Sequence, residues 1–154
     1  METGKVDREF FESYIAPRLG ASRDDVRTGP KHGVDFGVIE VGEQALAVAT
    51  DPISILPGLG HERAGRFAVR FVLADVAVSG LAPSHLALSL SLPPAMDDET
   101  FAAVWRGVDA ECRQLGVAVT TRHTPRDQDA SLPWRGARTA FAPGAPRGLF
   151  PPAR

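Results

Sequence analysis

Residues 84–92, SHLALSLSL, alternate without a break: Leu86, Leu88, Leu90 and Leu92 fall on one face, and His85, Ala87, Ser89 and Ser91 on the other. A period of two is that of a β-strand, and a face of four leucines needs a dry layer packed on it. The second face is small and polar enough to meet water, a ligand or another subunit. Pro93-Pro94 ends the run.

The rest of the chain supplies elements that can form such layers. Residues 7–19 predict a helix with Asp7 as N-cap, an apolar stripe of Phe10, Phe11, Tyr14 and Ile15, a stop near Pro17 and a terminal Gly20. Residues 21–31 are polar and predict a loop. A hairpin follows, with strands over 36–41 and 44–50 joined at Gly42-Glu43. A long helix is predicted from about Glu62 to Ser79, with Phe67, Phe71, Ala74 and Val78 as its buried stripe and Gly80 and Pro83 closing it. A further helix starts at Asp97 or Asp98 and carries Phe101, Val104, Trp105, Val108, Cys112 and Leu115 inward, with Gly116 as C-cap. Residues 117–121 make a short last strand. The order α-β-β-α-β-α-β predicts α/β or α+β layering, with helices packed against one sheet. Residues 125–154 hold six of the thirteen prolines and five further arginines with no sustained period, which predicts an irregular tail.

The composition narrows the function classes. A net charge of -2 over 154 residues gives no basic stripe for nucleic acid or anionic membrane. No apolar run approaches the roughly 20 residues that span a bilayer, and METGKVDREFFESY lacks the pattern of a signal peptide. Cys112 has no cysteine to pair with, which points to the cytoplasm, and its place on an apolar helical face makes it core.

Acidic and polar residues gather at element ends. Asp51 follows an apolar strand and precedes Pro52, which holds it extended where the sheet is expected to end. Asp75 lies four residues after Phe71, beside the expected buried stripe. Gly33 and Asp35 precede the first hairpin strand, and His123-Thr124 follow the last one. Each has a plainer reading: Asp35 and Asp51 as turn residues, Asp75 as a partner of Arg70. Carboxylates converging in one cleft repel, by roughly 4 kcal/mol for a pair about 4 Å apart at an effective dielectric near 20. A divalent cation removes that cost, and all-oxygen donors favour Mg2+, which usually brings phosphate with it. The four histidines share no metal-ligand spacing, which argues against zinc.

The stretches GVDFGVIEVG, ALAVATDPISILP, RFAVRFVLADVAVSGLAPSHLALSLSLP and ECRQLGVAVTTRHT, in that order, resemble the amino-terminal domain of the AIR synthase (PurM-like) superfamily, and within it HypE-related proteins, over residues 30–124. The run from Asp75 to Pro83, with a T-D strand end before it, is the most specific part. The resemblance implies a PurM N-terminal-like fold: a mixed four-stranded sheet with packed helices that joins a second copy through the sheet in a homodimer. It implies ATP and Mg2+ as cofactors, with Asp35, Asp51 and Asp75 at the metal and Gly33, His123 and Thr124 at the nucleotide. The activity it implies is activation or phosphorylation of a small substrate by phosphoryl transfer. Two departures stand out: Thr121 and Arg122 occupy positions where the family has glycines, and the family's second domain is not matched, so that residues 1–124 read as the ATP/Mg domain and 125–154 as a tail of a truncated chain. A non-catalytic dimerisation or partner-binding remnant of the family is the alternative.

Overall fold

The computed structural model describes residues 4–126 and 134–146, with the second segment given mainly through its backbone. The elements are α1 (Arg8–Phe10), β1 (Val26–Thr28), β2 (Gly37–Val41), β3 (Gln44–Ile55), α2 (His61–Ala77), β4 (His85–Ser89), α3 (Asp98–Leu115), β5 (Ala118–His123) and β6 (Trp134–Pro146). The six strands form one sheet in the order β1-β2-β3-β6-β4-β5. Every pairing is antiparallel except that of β4 with β5, the two strands joined through α3. The four expected strands are present in this mixed sheet, with β1 and β6 added to them.

β6 is the largest departure from expectation, because part of the supposed irregular tail sits in the middle of the sheet between β3 and β4. Its Ala140 and Ala142 are fully buried. Pro143 and Pro146 hide the strand from a pattern search. The register of β6 against β3 slips between Ala45 and Leu46, whose partners are Ala145 and Pro143, so Gly144 is the extra residue of a bulge. Bulges are where a strand tolerates proline. Residues 127–133 and 147–154 of the expected tail lie outside the described residues.

The helices cover one face of the sheet. Leu86, Leu88, Leu90 and Leu92 are all buried, as their alternation requires, together with Ala47, Ala49, Ala140 and Ala142 from the same face. Val69, Val72, Leu73 and Val76 of α2 and Val108 and Cys112 of α3 pack onto Leu86, Leu88 and the alanines, while Ala64 and Ala68 of α2 and Val104 of α3 pack with Leu90 and Leu92. The buried side of α2 is therefore Ala64, Gly65, Ala68, Val69, Val72, Leu73 and Val76. The expected stripe is the outer one: Phe67 is 45% exposed, Phe71 50% and Val78 71%. The reason lies in the α2–α3 crossing. A Cβ on Gly107 would stand 1.9 Å from the Glu62 carbonyl oxygen, and one on Gly65 2.2 Å from that of Val104. Backbones this close leave room for small and β-branched residues on the packed side, and the phenylalanines turn outward.

α3 keeps its predicted ends. The Asp97 side chain accepts from Thr100 N at 2.7 Å, and Gly116 takes the left-handed conformation that closes the helix. Leu115 is exposed instead of inward, and Glu111 is buried. Arg70 Nε donates to Glu111 Oε1 at 2.6 Å and Arg66 Nη1 to Oε2 at 3.4 Å, so Arg70 serves Glu111 and not Asp75. At the amino terminus, α1 runs on through a π turn, Phe11–Ile15, and a 3-10 turn, Ala16–Arg18. Asp7 caps it as expected. Residues 8–18 touch no other helix or strand among the described residues, and the apolar stripe there stays open, with Tyr14 63% exposed.

Candidate functional site

β3 does not end at Thr50. It continues through Asp51 and Pro52 to Ile55, so the expectation that Asp51 closes the strand is corrected. The last β2 partner of β3 is Val48, and residues 49–55 pair with β6 alone. A strand with one open side accommodates a proline. Asp51 follows Ala47 and Ala49 on the helix-covered face, at the point where β2 has left. It is half-buried there, facing the side of α2 that carries the two exposed phenylalanines.

That geometry brings Asp51 to Asp75, which stands one turn beyond Phe71. Burial pushes the Asp51 carboxyl up to about 6; the hydrogen bond with the Asp75 carboxyl and its charge add to this, Lys5 opposes it, and Asp35 contributes a smaller push in the same direction. Lys5 is the counter-charge. Its Nζ donates to Asp35 Oδ1, and that hydrogen bond, with the charges of Asp35, Asp75 and Asp51, raises the ammonium's pKa against a partial loss of solvent. Asp35, Asp51 and Asp75, from the turn before β2, from β3 and from α2, thus lie in one electrostatic cluster around Lys5.

Gly33 sits in the turn closed by the Lys31–Val34 bridge, at φ 81°, two residues before Asp35. His123 and Thr124 stand apart. Asp51 is in register with Arg138, Arg138 with Leu88 and Leu88 with Arg122, a row straight across the sheet. With neighbouring strands about 4.8 Å apart, the end of β5 lies roughly 14 Å from Asp51. His123 is exposed, and the buried Thr124 Oγ1 has no hydrogen-bond partner among the described residues.

A groove of about 330 Å3 opens beside the carboxylates, lined by Asp51, Pro52, Ser54, Leu56, Phe67, Ala68 and Phe71. It joins an acidic end to an aromatic wall, the Phe67 and Phe71 ring centroids being 6.2 Å apart. Among the described residues no three His, Cys, Asp or Glu side chains converge closely enough to hold an ion by themselves. Mg2+ does not require that, since it usually takes one or two carboxylates and completes its shell with water and phosphate. The contacting pair Asp51 and Asp75 fits such a cation, and the Lys5 ammonium, bonded to Asp35, adds a positive charge that acts on the cluster. Lys5 is the participant that sequence reasoning missed, because a single lysine 30 residues before its partner has no spacing that reveals it.

The family model described as AIR synthase related protein, N-terminal domain, matches residues 33–136. A hydrogenase expression/formation protein of Methanocaldococcus jannaschii is 26% identical over 123 residues, 79% of this chain and 36% of that protein. The carbamoyl dehydratase HypE of Escherichia coli is 28% identical over 120 residues, 77% of this chain and 34% of that one. The solved structure of E. coli HypE superposes with a TM-score of 0.58 at 27% identity over 68% of this chain and 34% of its own. Thiamine monophosphate kinase from Aquifex aeolicus superposes with a TM-score of 0.62 at 19% identity, covering 73% of this chain and 38% of that one, which is a likeness of fold. The chain spans about a third of the length of the relatives it matches. No helix among the described residues is long and apolar enough to cross a membrane.

Proposed function

The chain belongs to the AIR synthase related family through the N-terminal domain, and on that premise we propose that it binds ATP with Mg2+ as part of an enzyme that activates or phosphorylates a small substrate. The observation that carries this reading is the contact between Asp51 and Asp75 at the mouth of the aromatic groove, with Asp35 and Lys5 beside it. Asp51 and Asp75 hold the cation, and Asp35 adds negative charge that keeps it there. Bound in this way, Mg2+ neutralises phosphate oxygens and stabilises charge that develops on transfer. Gly33, in an open turn, lets backbone approach the phosphates. Phe67 and Phe71 form the wall that keeps the groove apolar. His123 and Thr124, across the sheet, are left to meet a remoter part of the ligand. A nucleotide-analogue complex is known for a related fold, the Aquifex thiamine monophosphate kinase bound to AMPPCP and TMP, and supports a nucleotide for this one.

We also propose a homodimer in the cytoplasm, formed through the sheet face that the helices leave open. That face carries Ile39, Val41, Leu46, Val48 and Ala87, none of them buried and Val41 57% exposed. The same face favours the second reading, a non-catalytic dimerisation module. Thermal melts separate the two. Mg-ATP at about 100 times its dissociation constant should stabilise a nucleotide-binding domain by roughly 2.7 kcal/mol. A dimer whose melting ignores Mg-ATP is the outcome for the second reading.

A further inference from the structure

The carboxylate cluster has a positive charge built into the chain. Lys5 Nζ is bonded to Asp35 Oδ1, and the same ammonium is close enough to Asp75 and Asp51 for their charges to act on it. Three carboxylates against one ammonium leave the cluster negative, so a second cation is attracted, but it meets the charge of the Lys5 ammonium held at Asp35. We propose that Lys5 is a tethered counter-ion of this cluster, which a divalent cation entering at Asp51 and Asp75 displaces, so that Lys5 sets how tightly the site takes metal. The inference rests on the cation site proposed above.

Two features let Lys5 leave at small cost. Its side chain is 75% exposed and its partner Asp35 43% exposed, so the pair is screened by water. The helical stretch that follows it, residues 8–18, touches no other helix or strand among the described residues, so this end of the chain can move without disturbing helix or strand packing. Exchange of a single charge for a double one at three carboxylates is favourable, whereas both cations together repel at close range. Lys5 therefore competes with metal without blocking it.

Calorimetric titration with Mn2+ alone, at fixed pH and ionic strength, tests this on the full chain and on Lys5→Met, Lys5→Arg, Asp35→Asn and the Lys5→Met/Asp35→Asn double variant. An exposed ion pair corresponds to about a three- to fivefold change in affinity, so Lys5→Met should bind Mn2+ that much more tightly. Lys5→Arg should bind like the parent, because the charge is kept, and adding Lys5→Met to Asp35→Asn should change little. Equal affinity in the parent and Lys5→Met overturns the counter-ion role while leaving the metal site standing. Absence of Mn2+ binding in every variant overturns the metal site, and the inference with it.

Discussion

Asp51 is the residue whose chemistry departs furthest from the ordinary, and the departure has a sign that can be measured. Its folded carboxyl titrates at about 6 against a usual 3.8, so the folded protein binds that proton more tightly than the unfolded chain. The stability this contributes is fully present below about pH 4 and is lost as pH rises through about 6. Denaturation midpoints of the metal-free protein, followed from pH 4 to 7.5, should fall across that window, and Asp51→Asn should flatten the fall. An unchanged slope in Asp51→Asn would contradict the assignment. Glu111 makes the opposite case, a buried carboxylate that is fully partnered by Arg70 and Arg66. Glu111→Ala should cost about 1–3 kcal/mol in denaturant unfolding, because a charge-assisted pair is lost at a position only 2% exposed. It should leave the Mg-ATP response intact, since Glu111 lies away from the groove.

The crossing of α2 and α3 decides which side of each helix is buried, and two glycines set the distance. Gly107→Ala puts a methyl group into the backbone of Glu62 and should destabilise by about 1–3 kcal/mol or more. Gly58→Ala, with nothing within 4 Å of its Cβ, is the control and should be close to neutral in the same melt. The crossing also explains what could be read in advance. Leu86 to Leu92 were legible because a strand's alternation is local and leaves one solution for the dry face. The caps of α3 were legible because Asp97 and Gly116 act on backbone a few residues away. The buried side of α2 was not, since VLADVAVSG is apolar nearly all round and only α3, far along the chain, chooses between the faces. β6 escaped because Pro143, Gly144 and Pro146 break its pattern at a bulge that exists only against β3.

At the scale of the molecule, one side of the sheet holds the helices and the carboxylates, and the other presents Ile39, Val41, Leu46 and Val48, none of them buried. Light scattering should give a dimer, and Leu46→Lys with Val48→Asp should give a folded monomer. A monomeric parent protein would contradict the proposed interface. The three aspartates were each legible as residues out of place, but their meeting was not, because Asp51 reaches Asp75 only after β3 runs past β2 and α2 turns its aromatic side toward the groove. The central claim is that this meeting point takes a metal-bound nucleotide. Its most direct measurement is the shift in melting temperature on adding Mg-ATP, compared with ATP in EDTA, for the parent chain, Asp51→Asn and Asp75→Asn. Stabilisation should need Mg2+ in the parent and be lost in both variants; equal shifts in all three proteins, or none in the parent, would rule out a metal-bound nucleotide here.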